Sequence, residues 1–214
     1  MPTLEWIGKS KVVNHHQEVP FRVLKRQYSF DEMGKHTEDN GSDNMIIHGD
    51  NLEALKALLP QYEGRVKCIY IDPPYNTGNE KWCYNDNVND PHIQKWLGEV
   101  VGKEGEDLTR HDKWLCMMYP RLMLLQKLLA DDGFIFVSID VFEYAYLRCI
   151  MDEIFGSANF RNCIAVRRGI KNVQAQFDEV QSLSLGHEYI YLYSKNPQAK
   201  LPKLSKGFEA DKAG

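Results

Sequence analysis

The sequence predicts an α/β fold with a mainly parallel sheet. Short, nearly continuous apolar runs are typical of strands buried on both faces, and residues 134–139 form the clearest run. Other segments repeat their apolar residues at helical spacing, most clearly over residues 112–130. Alternation of such strands and helices along one chain favours a single sheet flanked by helices.

The first 44 residues are predicted to form an N-terminal arm and linker. Apolar residues up to position 30 follow neither the helical nor the strand period, and residues 31–43 are polar and contain glycine. His15 and His16 are expected at the surface rather than on a metal, because adjacent side chains point in different directions.

A short strand is predicted at residues 45–48, followed by a helix that begins after Asp50. Leu52, Leu55 and Leu59 recur at helical spacing, and Asp50 with Glu53 matches a capping box. Asp50 therefore has two open interpretations. It caps the helix, or its carboxylate, at the carboxyl end of a strand, accepts hydrogen bonds from a ligand.

The apolar run Val66–Ile71 is predicted to be a buried strand, and it stops at Asp72-Pro73-Pro74-Tyr75. Two consecutive prolines end a strand and stiffen the turn that follows. A carboxylate beside an aromatic ring at a strand end suits a planar group that carries an exocyclic amine. Ordinary turn chemistry, with aspartate capping and proline fixing φ, is the competing interpretation.

The rest of the chain continues the alternation after a long polar stretch. Residues 76–112 are too long for a plain connection, which predicts a functional lid or a mobile insert with partial packing at Trp82, Tyr84, Trp96 and Leu97. The later elements are a helix at 112–130, a strand at 134–139 followed by Asp140, a helix closed by Gly156, strands at 160–166 and 188–193, and a lysine-rich tail at 197–214.

A basic cluster surrounds the far end of the predicted strand at 160–166. Its members are Arg161, Arg167, Arg168 and Lys171. Such a cluster is either a solvated face or a patch that contacts nucleic-acid phosphates.

Composition is that of a soluble globular protein, with 43% hydrophobic and 26% charged residues. The net charge of −4 does not by itself indicate a nucleic-acid partner. Five scattered cysteines without a Cys-x-x-Cys pair predict neither disulfides nor a metal site. A reducing cytoplasm is expected, with no membrane partner, since no apolar run reaches the length of a membrane span.

Residues 70–79, Tyr-Ile-Asp-Pro-Pro-Tyr-Asn-Thr-Gly-Asn, resemble a catalytic motif of amino-methyltransferases that act on exocyclic nitrogens of DNA bases. The string is most similar to adenine-N6 enzymes of type III restriction-modification systems. This resemblance implies a Rossmann-like methyltransferase fold, S-adenosylmethionine as cofactor, and double-stranded DNA with an extruded adenine as substrate. It also implies a restriction subunit or a second methyltransferase chain as partner.

The resemblance assigns roles to individual residues. The Asp72 carboxylate and the Pro73 carbonyl would accept from the N–H groups of the adenine amine, Pro74 would keep the turn stiff, and Tyr75 would stack on the base. Asp50 and Asp72 would contact the cofactor. Methylation of cytosine N4 or of a protein glutamine is a competing interpretation, although Ser-Pro-Pro and Asn-Pro-Pro are the usual motifs there.

The sequence departs from the family pattern because none of its fifteen glycines forms a Gly-x-Gly loop. Residues 45–196 are therefore expected to be an incomplete methyltransferase domain, the catalytic half. The chain alone is expected to bind the cofactor weakly and to methylate DNA poorly. A catalytically silent chain that binds a second chain carrying the loop remains an alternative.

Overall fold

The computed structural model describes residues 3–76, 91–101, 109–167 and 186–201. Its helices are α1 (Lys9–Val12), α2 (His15–Glu18), α3 (Asn51–Tyr62), α4 (Pro91–Val100), α5 (Arg110–Leu128) and α6 (Tyr144–Met151). Its strands are β1 (Ser29–Asp31), β2 (Gly34–His36), β3 (Val66–Ile71), β4 (Leu129–Ile139), β5 (Phe160–Arg167) and β6 (His187–Ser194). A π-helical turn, Asp152–Gly156, extends α6.

The main sheet has the strand order β3-β4-β6-β5. Among the described strands only β3 and β4 form a parallel pair, whereas β6 runs antiparallel to both β4 and β5. The α/β class is confirmed, but the described sheet is mixed rather than mainly parallel. The apolar pattern of a strand depends on its burial and not on its direction, so the pattern could not show that β6 reverses.

β3 lies at the edge of this sheet and not in its interior. It has the predicted bounds, but Ile69 is its only buried residue, and Lys67, Cys68 and Tyr70 are exposed. The prediction of a buried strand is therefore wrong for these side chains. Their exposure follows from pairing with β4 on one side only among the described strands.

The core is built around α5. The apolar residues that recur at helical spacing are all buried: Trp114, Met118, Leu122, Leu125 and Leu129, the last of which begins β4. Other residues around the helix are buried as well, which makes α5 a central helix. It packs against α1, α2, α3, α4 and α6. A capping box formed by Thr109 and Asp112 starts the helix one turn from the candidate site described below.

The first part of the predicted arm packs into this core. Trp6 and Val12 are buried, and the Lys9 ammonium donates to the Leu4 carbonyl at 2.8 Å and to Glu153 at 3.0 Å. His16 is also buried, so the expectation of a surface residue is wrong for it. Burial lowers the pKa of His16, whose Nδ1 lies 3.2 Å from the Val13 carbonyl oxygen.

Three other predicted boundaries differ from the structure. β1 and β2 form a short antiparallel hairpin inside the predicted linker. Residues 45–48 are not a strand, and Ile46 is fully exposed there. β4 begins at Leu129, five residues before the predicted strand at 134–139, and its register with β3 shifts between Leu129 and Phe134. No helix in the described part of the chain is long and apolar enough to span a bilayer.

Candidate active site

The Asp72-Pro73-Pro74-Tyr75 segment, here called the catalytic turn, follows the carboxyl end of β3. Because β3 and β4 are parallel neighbours and Ile71 pairs with Val137, Asp140 follows β4 at the same edge of the sheet. The sequence placed Asp72 and Asp140 each directly after a strand, and both positions are confirmed. The carboxyl ends of neighbouring parallel strands are where open α/β sheets bind ligands.

The front of the catalytic turn presents a carboxylate to solvent. Asp72 is exposed, while Pro73, Pro74 and Tyr75 are half-buried. Burial and a hydrogen bond to Asp72 raise the pKa of the Tyr75 hydroxyl, which keeps it protonated as a donor to that carboxylate. The Tyr75 ring therefore lies beside the Asp72 carboxylate, as an aromatic surface next to an acceptor.

The back of the catalytic turn is held by a buried tryptophan. The indole Nε1 of Trp114, a fully buried residue of α5, donates to the Pro74 carbonyl oxygen at 2.7 Å. On the neighbouring strands, the Tyr70 hydroxyl and Ser138 Oγ lie 2.7 Å apart and link β3 to β4 just before the turn. These contacts fix the turn to both the central helix and the sheet.

Asn76 closes the turn in an unusual backbone conformation. Its φ is +57°, in the left-handed region, which costs a non-glycine residue about 1–2 kcal/mol. Its side chain is buried, and Nδ2 donates to the Arg110 carbonyl oxygen at 3.1 Å and to Glu143 Oε1 at 2.5 Å. The side-chain contacts therefore help to keep this conformation in place.

Glu143 is the buried acid behind the turn, and its side chain has no exposed surface. Its Oε1 accepts from Asn76, and it lies 2.7 Å from Nδ1 of His111, whose ring contacts Tyr146. Burial raises the pKa of Glu143. Sequence reasoning did not find this group. One available signal was a glutamate at the position before α6, where Ser, Thr, Asp or Asn is the usual cap.

Asp50 caps α3 as one interpretation predicted. Its Oδ1 accepts from the backbone N–H groups of Leu52 at 2.9 Å and Glu53 at 3.1 Å. The carboxylate remains exposed, and its Oδ2 lies 4.0 Å from Arg121, a half-buried arginine that also donates to Asn51 Oδ1 at 2.7 Å. Capping and ligand contact are compatible, because a carboxylate accepts several hydrogen bonds.

The structure separates Arg161 from Arg167, the two described members of the predicted basic cluster. Arg161 and Arg167 lie at opposite ends of β5, and six residues of strand span roughly 20 Å. The Arg161 guanidinium donates to Ser194 Oγ at 2.8 Å and to the carbonyl oxygens of Asn196 and Pro197 at 2.9 and 2.7 Å. Arg161 thus fastens β5 to the segment after β6, and Arg167 is exposed. Arg168 and Lys171 lie outside the described residues.

Part of the predicted lid lies within the described residues as α4. Leu97 is buried, as expected, and half-buried Trp96 donates from its indole to His15 Nε2 at 3.2 Å. Residues 77–90 and 102–108 lie outside the described part. Within the described residues, no group of three or more His, Cys, Asp or Glu side chains could hold a metal ion.

Fold and site together define an α/β domain with an acid-Pro-Pro-aromatic turn at the ligand-binding edge of its sheet. The chain matches the model of the DNA methylase family N6_N4_Mtase over residues 66–212, and it belongs to that family. The matched region contains the catalytic turn, Asn76 and Glu143.

Curated relatives include Mod subunits of type III restriction-modification enzymes. The chain is 37% identical to the EcoPI Mod subunit of Escherichia phage P1 over 91% of its own length, and 40% identical to the StyLTI Mod subunit of Salmonella typhimurium over 96%. It spans only 30% and 32% of these two relatives.

A solved structure titled as the M1.HpyAVI–SAM complex is also similar. It has a TM-score of 0.41 and 16% sequence identity, and the match covers 75% of this chain and 60% of the other.

Proposed function

We propose that the protein carrying this sequence transfers a methyl group from S-adenosylmethionine to the N6 amine of adenine in DNA, as part of a restriction-modification system. The observation that carries the proposal is the exposed Asp72 carboxylate on a rigid turn at the carboxyl end of β3. Membership of the DNA methylase family and identity to Mod subunits support the substrate class.

The residues of the turn suit this chemistry. An exocyclic amine donates its lone pair into the base and is a poor nucleophile. Acceptors aimed at its two N–H groups stabilise the positive charge that develops on nitrogen during attack. The Asp72 carboxylate and the Pro73 carbonyl supply two acceptors, and the contact of Pro74 with Trp114 keeps them in place. Tyr75 offers a stacking surface to a base that has left the duplex.

The exposed acids also fit part of S-adenosylmethionine, which supplies an electrophilic methyl group when bound. Asp50 and Asp72 are exposed carboxylates, and such acceptors match the amine, hydroxyl and ammonium groups of that cofactor. Asp50 would hold the adenosine end and Asp72 the reactive end. We also propose that Arg167 contacts DNA phosphates. A restriction subunit is the proposed partner, and the cytoplasm is the proposed location.

The test is product analysis with the complete polypeptide that carries residues 1–214. The protein is incubated with isotopically labelled S-adenosylmethionine and unmethylated duplex DNA, and the DNA is digested to nucleosides. The expected label is on N6-methyladenine, and the Asp72→Ala variant should lose it. Label on N4-methylcytosine or on protein, or no transfer, would contradict the proposal.

A further inference from the structure

Asn76 and Glu143 form a buried side-chain pair behind the catalytic turn, here called the amide–acid pair. Asn76 Nδ2 donates to Glu143 Oε1 at 2.5 Å, and the two residues are 1% and 0% exposed. The pair joins the residue that ends the turn to the residue that precedes α6. Residues that are 67 positions apart in sequence thus meet in the interior.

Two oxygens of this pair lack a partner. Among the described residues, neither Asn76 Oδ1 nor Glu143 Oε2 has a hydrogen-bond partner, and both are fully buried. Both atoms are acceptors when the carboxyl group is ionised. A proton on Glu143 Oε2 would turn that atom into a donor. A planar acid and a planar amide that share one N–H···O bond can then close a second, O–H···O bond between the two orphan oxygens.

Burial is the largest influence on Glu143 and raises its pKa, while Arg110, His111 and the bond from Asn76 act in the opposite direction. Arg110 Nε donates to His111 Nε2 at 3.5 Å, and an arginine is always a donor. His111 Nδ1 lies 2.7 Å from Glu143 Oε1, the same oxygen that accepts from Asn76 Nδ2. The groups facing the pair from the described elements are Arg110 and His111 of α5, with Tyr146 of α6 against the His111 ring.

We propose that Glu143 is a positioning residue that works as a protonated carboxylic acid. It donates from Oε2 to Asn76 Oδ1 and accepts from Asn76 Nδ2 at Oε1, and these two bonds hold Asn76 in its left-handed conformation. The orientation of Asp72, four residues earlier, depends on that anchor. The role in orientation rests on the proposed methyl transfer, whereas the protonation of Glu143 does not.

The protonated state makes the anchor sensitive to pH. Burial raises the pKa of Glu143 above its ordinary value, as it does for other acids in apolar sites. The stabilisation from the pair is complete below the ordinary pKa of a glutamate and is lost as the pH rises through the higher folded-state pKa. When Glu143 is ionised, its Oε2 has no proton to donate, so two acceptors, Oε2 and Asn76 Oδ1, face each other. The O–H···O bond of the pair is then lost.

Three variants of the complete polypeptide test this inference. Glu143→Gln keeps both bonds without titrating, because its amide nitrogen donates where the acid O–H did. Glu143→Ala removes both bonds. Asn76→Gly also removes the pair, but glycine adopts a φ of +57° without strain, so the backbone of the turn is not penalised.

Thermal unfolding from about pH 5 to about pH 9 tests the protonation of Glu143. We expect the melting temperature of Glu143→Gln to rise relative to wild type as the pH increases, because only the wild type loses its bond. A constant difference, or one that changes in the opposite direction, would overturn the inference. This measurement does not require methylation, so it stays decisive even if the proposed function is wrong.

Turnover tests the positioning role. Glu143→Gln should stay within about threefold of wild type, while Glu143→Ala and Asn76→Gly should lose roughly 10- to 100-fold in kcat with little change in KM. The double variant Glu143→Ala/Asn76→Gly should lose no more than the worse single variant, because both changes remove one pair. A Glu143→Gln variant as impaired as Glu143→Ala would show that an ionised carboxylate is required, and would overturn the inference.

Discussion

The two sides of the catalytic turn differ in exposure and in the number of fixed contacts. On the front, the Asp72 carboxylate is open to solvent. On the back, Trp114, Asn76 and Glu143 are at most 1% exposed and hydrogen-bond the turn or one another. The comparison suggests that the reactive group is kept accessible while buried contacts set its position. Changes in front should therefore impair the reaction alone, and changes behind should impair both reaction and folding.

The largest effect is expected for Asp72→Ala in the complete polypeptide. Loss of one preorganised polar contact to the reacting amine should reduce kcat by about 10²-fold or more. Because Asp72 is exposed, the melting temperature should stay near that of wild type. Glu99→Ala, which removes an exposed carboxylate from α4, is the control and should leave kcat unchanged. Normal adenine methylation by Asp72→Ala would remove this residue from the mechanism.

Trp114→Phe tests the back of the turn. The change removes the donor to the Pro74 carbonyl oxygen, and it should lower the free energy of unfolding by about 1–3 kcal/mol. It should also reduce kcat, since Pro74 follows directly after the proposed acceptor Pro73. Chemical denaturation and steady-state kinetics measure the two effects.

Trp96→Phe is the matched control for that variant, because the Trp96 indole donates to His15 and not to the turn. It should cost stability without reducing kcat. Equal losses of kcat in both variants would mean that the contact with Pro74 has no special role in orienting the turn.

Tyr75 lies between the two sides of the catalytic turn. Its variants separate the contribution of the ring to DNA binding from that of the hydroxyl. Tyr75→Ala should weaken binding of DNA with an extruded base by about 1–3 kcal/mol, the value of one base–aromatic stack. Tyr75→Phe keeps the ring and should be mild, although it removes the donor to Asp72. Fluorescence binding to duplexes with a base analogue at the target position measures both. A phenylalanine variant as weak as the alanine variant would assign the role to the hydroxyl.

The smallest effects are expected on β5, where the contrast between a fixed and an exposed side chain recurs. Arg161→Ala removes three hydrogen bonds and should cost about 1–3 kcal/mol of stability, with no change in the salt dependence of DNA binding. Arg167→Ala should leave stability unchanged and lower the salt slope by about 1 if Arg167 contacts a phosphate. The measurement is DNA affinity across a series of salt concentrations. A larger change in the salt slope for Arg161→Ala than for Arg167→Ala would contradict this prediction.

Local patterns predicted the elements whose signals lie within a few residues. Asp50 as the cap of α3, the bounds of β3 and the apolar stripe of α5 all followed from short-range spacing. The catalytic turn was placed correctly at a strand end for the same reason. The roles assigned to its four residues remain predictions.

Features that depend on distant residues were not predictable in this way. Asn76 and Glu143 are 67 positions apart, and no periodicity relates them. The burial of His16 depends on packing by α5, and the role of Arg161 depends on the segment after β6, whose carbonyl oxygens it meets 35 and 36 positions away. Strand direction was equally hidden, since β6 would show the same apolar residues if it ran parallel to β4.

The exposed edge of β3 has a practical consequence for handling the protein. On this edge β3 pairs with no other strand among the described residues, and backbone N–H and C=O groups in such a position can template strand addition between copies, which is a route to aggregation. Lys67 places a charge on this edge and opposes such pairing, but Cys68 next to it is a free, exposed thiol. Two copies that meet along β3 could be joined covalently by oxidation. Purification at low concentration with a reductant should keep the chain monodisperse, and Cys68→Ser should remove the oxidised dimer.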